Sequence, residues 1–215
     1  MKGLLLALLM LLFSAFVLAQ ASAFAERDEA LKGLSAPDPA QRAGAIAWIA
    51  SNGVPSDDEA LVQRLTDENP FVREIAERGL WVLWGRSGDD EIDALMAKGA
   101  EEMQERRFPA AIATLSEVIR RKPSFAEGWN RRATVFFLAG DLKRSLADCD
   151  EVMKRNPYHF GALAGYSQIY VHLEYYDRAL DYARRALAVN PNLEGVRRSI
   201  EPLERLVEQR RSKTI

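Results

Sequence analysis

The sequence predicts an all-helical chain assembled from stacked helical hairpins, and three observations support that class. Pro123, Pro157 and Pro191 recur at equal intervals, each 34 after the last. The residues between them agree in register, large with large and small with small, which prolines spaced by chance do not produce. Within each interval apolar residues recur three and four apart, the spacing of one helix face. The bulk numbers agree: 215 residues can hold a sizeable core, and 48% apolar with 28% charged residues marks a globular body.

In chain order, residues 1–25 stand apart from the fold. Lys2 supplies a positive start, Leu4 to Leu18 is apolar except for Ser14, and Ala21-Ser22-Ala23 and Ala23-Phe24-Ala25 follow as small-x-small sites. That is the layout of a secretory signal peptide, with cleavage expected after Ala23 or Ala25. A periplasmic or secreted protein without a stable membrane span is then expected. The alternative is an uncleaved inner-membrane anchor, since an apolar run of about 15 residues is only slightly short of a span. No cysteine follows the run, which excludes a lipoprotein anchor.

Residues 26–88 carry a different symmetry. Pro39 and Pro70, then Arg42 and Arg73, are each 31 apart. Asp38-Pro39 and Asn69-Pro70 are cap-plus-proline helix starts, leading into Ala40 to Ser51 and Phe71 to Trp84. Ser56 and Glu59 have the spacing of a capping box ahead of Ala60 to Leu65. This segment looks like two short HEAT-type hairpins. Residues 85–92, polar with two glycines, form the expected boundary, too short for a loose tether, so the two segments are expected to touch.

The three units run 92–125, 126–159 and 160–193. In the second, Ser124 with Glu127 suggests a capping box, Gly140-Asp141 breaks the chain and offers the next cap, and Pro157 stops the second helix. Ala111, Ser145 and Ala179 are small at the place where the two helices of each hairpin must cross. One hairpin cannot bury its apolar face, so the units must stack.

These gapless units resemble the tetratricopeptide repeat family over about half of the mature chain. The resemblance implies a right-handed α-solenoid of three such hairpins, closed by a capping helix at 194–211 with a short tail at 212–215. Three residues depart from the family pattern: Lys98 and Arg132 stand where a large apolar residue is usual, and Glu102 where an aromatic is usual.

Charge and motifs exclude several functions. The net charge of -2 and the Arg-Arg pairs interleaved with acidic residues read as solvated helix faces, not a nucleic-acid surface. No phosphate loop, G-x-S-x-G or H-E-x-x-H motif is present, and the acidic pairs fall near helix starts. Neither an enzyme, a cofactor nor a metal is expected. Cys149, the single cysteine, falls at an interior position and reads as buried and inert.

The family lines its concave side with the first helix of each unit, which implies a protein or peptide partner there. On that face stand Met96, Ala100 and Met103, then Asn130, Thr134, Phe137 and Leu138, then Ala164, Gln168, Val171 and His172. Members that clamp a peptide's terminal carboxylate use lysine, arginine and asparagine where this chain has Met96, Ala100, Arg131, Gly161 and Gly165, so only one arginine remains of the clamp. The lining is largely apolar, with methionines that adapt to a ligand. The expectation is an envelope interaction scaffold that takes an apolar peptide or amphipathic helix, with Phe137 and Leu138 as anchors. The alternatives are a self-associating homodimer, packing of the 26–88 segment in the groove, or a non-catalytic accessory subunit of an envelope enzyme.

Overall fold

The computed structural model describes residues 24–212, so the leader, apart from Phe24 and Ala25, lies outside the described residues. Among those residues are eleven α-helices and no strand. The chain divides into two compact units between Gly85 and Arg86.

The first unit contains α1 (Arg27–Gly33), α2 (Pro39–Asn52), α3 (Asp58–Val62) and α4 (Pro70–Gly85), with 3-10 turns at Pro55–Asp57 and Gln63–Thr66. Helix α1 packs on α2, α3 on α4 and α2 on α4, around Ile46, Ile49, Leu61, Leu65, Val72 and Leu80. The repeated spacing of this segment reappears in its hydrogen bonds. Asp38 accepts from the Ala40 amide at 3.0 Å, and Asn69 accepts from the Phe71 amide at 2.9 Å. Arg42 Nη1 donates to the Ala36 and Pro37 carbonyls, as Arg73 Nη1 does to those of Asp67 and Glu68. The other edge of Arg42 grips the buried Asp67 carboxylate at 2.8 and 2.9 Å, tying the first turn to the second. The Ser56–Glu59 capping box does not form. Pro55 opens a 3-10 turn there, and Asp57 takes the capping role by accepting from the Val54 amide at 2.9 Å.

The second unit contains α5 (Asp90–Gln104), α6 (Phe108–Arg121), α7 (Ala126–Leu138), α8 (Leu142–Arg155), α9 (Phe160–His172), α10 (Tyr176–Val189) and α11 (Glu194–Ser212). Helix α5 packs on α6, α7 on α8, α9 on α10 and α10 on α11, while α7 neighbours both α5 and α9. Small buried residues set the hairpin crossings. Ser145 Oγ donates to the Ala133 carbonyl and Ser167 Oγ to the Ala179 carbonyl, both at 2.8 Å across a hairpin.

The turn inside each hairpin is built alike. Arg106, Gly140 and Glu174, at equivalent places in the three units, all have positive φ, at 59°, 80° and 59°. The following amide donates to the carbonyl five residues back, Arg107 to Glu102, Asp141 to Phe136 and Tyr175 to Tyr170. This is the Schellman ending, which glycine adopts without steric cost and other residues do not. Asp141 then caps α8 through the Arg144 amide, as its position suggested. The Ser124–Glu127 box ahead of α7 is absent. Phe125 is the N-cap and makes no side-chain cap, because the Glu127 carboxylate is turned inward to other donors.

Candidate interaction site

Helices α7, α9 and α11 bound two adjoining clefts. The smaller, about 60 Å³, lies between α7 and α9 and is lined by Asn130, Thr134, Phe137, Gly161, Gly165 and Gln168, among others. The larger, about 220 Å³, lies between α9 and α11, where Ala164, Gln168 and Val171 meet Val196, Ser199 and Leu203. Gln168 belongs to both. Six of the residues read from the sequence therefore line one cleft or the other. Leu138 and Val171 are exposed, at 48% and 37%. The Phe137 ring meets His172 edge-on at 4.9 Å and also packs against the core of the unit. His172 Nδ1 lies 3.0 Å from the Gln168 carbonyl, within its own helix.

On α5 the picture differs. Met96 and Met103 are half-buried against Ala111, Leu115 and Val135, and Ala100 is half-buried beside them in sequence. Neither cleft draws on them. The residues missed on the sequence are those of α11, Gly195, Val196 and Ser199, whose helix was expected only as a cap. Gly161 and Gly165 were visible as places without a clamp side chain, and that absence is what leaves the α7–α9 cleft open. A third cleft, of about 670 Å³, lies between α10 and α11, away from the first-helix face. Arg184–Glu204 and Arg211–Asp177 ion pairs link its two helices.

The departures from the family pattern are polar and satisfied. Arg132 gives Nε and Nη2 to Asp148, both at 2.8 Å, and Nη1 to Ser116 at 2.8 Å, beneath the rings of Trp129 and Phe136. Tyr166, at the equivalent place in the next unit, repeats both reaches: it stacks on Tyr182 at 4.3 Å and donates its hydroxyl to Asp150. Glu102 is buried and accepts from Thr114 at 2.7 Å. Cys149 is buried, and that burial, with Asp148 and Asp150 nearby, pushes its thiol up to about 12. A thiol so placed carries little thiolate at neutral pH, which makes it a poor nucleophile.

A buried polar cluster sits at the start of α7. Glu127 and His159 are both buried, with Nε2 of His159 3.1 Å from Oε2 of Glu127. The same carboxylate accepts from Asn130 Nδ2 at 2.8 Å and Arg131 Nε at 2.6 Å. Burial alone would raise the Glu127 carboxyl; the hydrogen bond from His159, then the charge and hydrogen bond of Arg131, outweigh it and hold the group below its usual range. His159 also caps α9, its Nδ1 accepting from the Ala162 amide at 3.1 Å. No cluster of three acidic, cysteine or histidine residues suited to a metal occurs among the described residues.

Residues 96–160 match the tetratricopeptide repeat family model. The chain carries tetratricopeptide repeats over these residues. Its repeats are similar to those of a TPR repeat-containing protein of Rhizobium etli, 43% identical over 86 residues, which cover 40% of this chain and 42% of that protein. They also resemble Hsp70-Hsp90 organizing protein 1 of Glycine max, 26% identical over 117 residues, covering 53% of this chain and 20% of that protein. The chain thus spans less than half the length of these relatives. Among solved structures, the first TPR of Spaghetti bound to an HSP90 peptide aligns with a TM-score of 0.53 at 16% identity, covering 55% of this chain and 94% of that one. The Sgt2 TPR domain of Aspergillus fumigatus aligns at 0.55 and 17%, covering 58% and 83%. At such identity these likenesses establish the fold.

Proposed function

We propose that this repeat protein is a non-catalytic interaction module that receives an apolar peptide segment on the face formed by its first helices. The observation that carries this reading is the pair of clefts joined at Gln168, the larger lined by exposed Val171, with exposed Leu138 next in sequence to Phe137 of the smaller. Each cleft is sized for a side chain, and apolar burial there supplies roughly 25 cal/mol per Å². The related structure carries the HSP90 peptide SRMEEVD; a carboxylate-ended ligand of that kind fits poorly here. The clamp places on α5 and α9 hold Met96, Ala100, Gly161 and Gly165, and Nε of Arg131, at the remaining place, is engaged by Glu127.

Peptides selected by phage display on the full chain test this. Apolar sequences should enrich, their binding should fall at least tenfold in Leu138→Glu with Val171→Glu, and SRMEEVD should not bind. Both substituted residues are exposed, so the melting temperature should hold. Enrichment of acidic carboxyl-terminal peptides, or binding indifferent to the two glutamates, would refute the reading.

Export is the second part of the proposal. No helix among the described residues is long and apolar enough to cross a membrane. The Phe24 ring lies so close over Gly33 that a Cβ there would come within 2.6 Å of it. The Ala25 amide donates to Glu29 at 3.1 Å. Cleavage after Ala23 keeps both contacts and cleavage after Ala25 removes them, so the mature chain starts at Phe24. Intact mass spectrometry of the exported protein checks this; recovery of Met1 in the membrane fraction would favour the anchor.

A further inference from the structure

We infer that the buried Glu127–His159 pair is a positioning element of the α7–α9 cleft: it fixes the Asn130 carboxamide with its oxygen outward, so that this point of the cleft accepts a hydrogen bond from its ligand. This rests on the proposed interaction face and names the polar character of its narrowest part.

The donor and acceptor capacity of each group decides the orientation. An ionised carboxylate only accepts, so the Asn130 atom 2.8 Å from Glu127 Oε2 must be the amide nitrogen. That settles an orientation which coordinates alone leave open, since the two ends of a carboxamide look alike. Glu127 is held ionised in turn by its other donors, Arg131 Nε on one oxygen and His159 Nε2 on the other. The histidine tautomer follows the same logic. Nδ1 accepts the Ala162 amide, so the proton of neutral His159 resides on Nε2 and points at Glu127. A backbone amide at the start of α9 therefore determines, through two buried side chains, which way Asn130 faces on α7. Among the described residues no group hydrogen-bonds to Asn130 Oδ1, and Asn130 lines the cleft. The node is specific to this junction. One repeat period before Glu127 and His159 stand Asp93 and Phe125, and one period after them stand Gly161 and Leu193. A ligand that crosses here needs a donor, which a peptide main chain supplies as N–H.

Side-chain amide NMR on the full-length mature chain tests the orientation without any peptide. The Asn130 NH₂ protons should exchange at least tenfold more slowly than those of Gln168, whose carboxamide makes no hydrogen bond among the described residues. Glu127→Gln should abolish that difference. His159→Asn, which keeps a capping residue but cannot reach Glu127, should reduce it. Two small probes then test the acceptor. N-methylacetamide carries an N–H and should shift the Asn130 and Gly165 signals; N,N-dimethylacetamide, which lacks it, should leave them in place. Equal exchange at Asn130 and Gln168 in the wild type overturns the orientation, and equal shifts from both probes overturn the acceptor role. If the amide arm holds while no peptide is selected on the chain, the interaction reading fails and the positioning stands.

Discussion

The junctions ahead of α7 and ahead of α9 occupy the same place in the repeat period, yet opposite chemistry holds them. At the first, the Phe125 ring fills a space between Ile92 and Val118 and caps nothing. At the second, His159 fills the corresponding space, caps α9 and pairs with Glu127. A ring held by dispersion and exclusion of water tolerates other residues of like volume. An imidazole held by two directed hydrogen bonds does not, because removing either partner strands a buried polar group. The repeat thus specifies volume at one junction and identity at the other.

Removing volume at the first junction should have the largest effect. Phe125→Ala should destabilise by about 3–5 kcal/mol through the cavity it leaves, read by urea denaturation. His159→Phe makes the second junction like the first. It should cost about 1–3 kcal/mol despite preserved volume, because Glu127 loses a donor and α9 its cap; an unchanged midpoint would mean that the pair contributes nothing. Acidification separates the junctions without truncating either. The Glu127 carboxyl is lower in the folded protein than its free value of about 4.3, so its contribution is complete above that value. It is lost as pH falls through the folded value. Denaturation midpoints measured from pH 7 to pH 3 should fall less in Glu127→Gln than in the wild type, while Phe125→Ala keeps the wild-type slope. The smallest effects belong to the turns. Gly140→Ala should destabilise by about 1 kcal/mol, and Arg106→Gly should be neutral or stabilising by a few tenths, since only the first introduces a Cβ at positive φ.

Much of the fold was legible in the sequence because it rests on periodic constraints. Prolines, crossing residues such as Ala111 and Ser145, and helix starts such as Asp38 and Asp141 each act within a few residues of their position. Two of the three expected capping boxes or breaks show the limit of that locality. Glu127 had the right spacing from Ser124, but His159, a whole unit further along the chain, competes for its carboxylate. Ser56 lost its role to Asp57 because Pro55 shifted the turn. The turns at Arg106 and Glu174 were illegible because neither residue advertises a positive φ. On the candidate face, Asn130, Thr134, Phe137, Ala164, Gln168 and Val171 were placed by what the family resemblance implies for the first helix of each unit, and they line the two clefts. The contribution of α11 could not be placed so, since a capping helix has no counterpart earlier in the chain to compare with.

Arg132 has a consequence for how such a chain can change over generations. Its guanidinium joins α6, through Ser116, to α8, through Asp148, and Tyr166 makes the equivalent link one unit on. Tandem repeats are commonly gained and lost whole by unequal recombination. Excising one whole unit here leaves every helix in phase but brings together side chains that never met: removal of 126–159 would set the Tyr166 hydroxyl against Ser116 in place of Asp150. The backbone permits the exchange of units, whereas the side chains between them are matched to their present neighbours, so a change of repeat number must be followed by adjustment at the new junction.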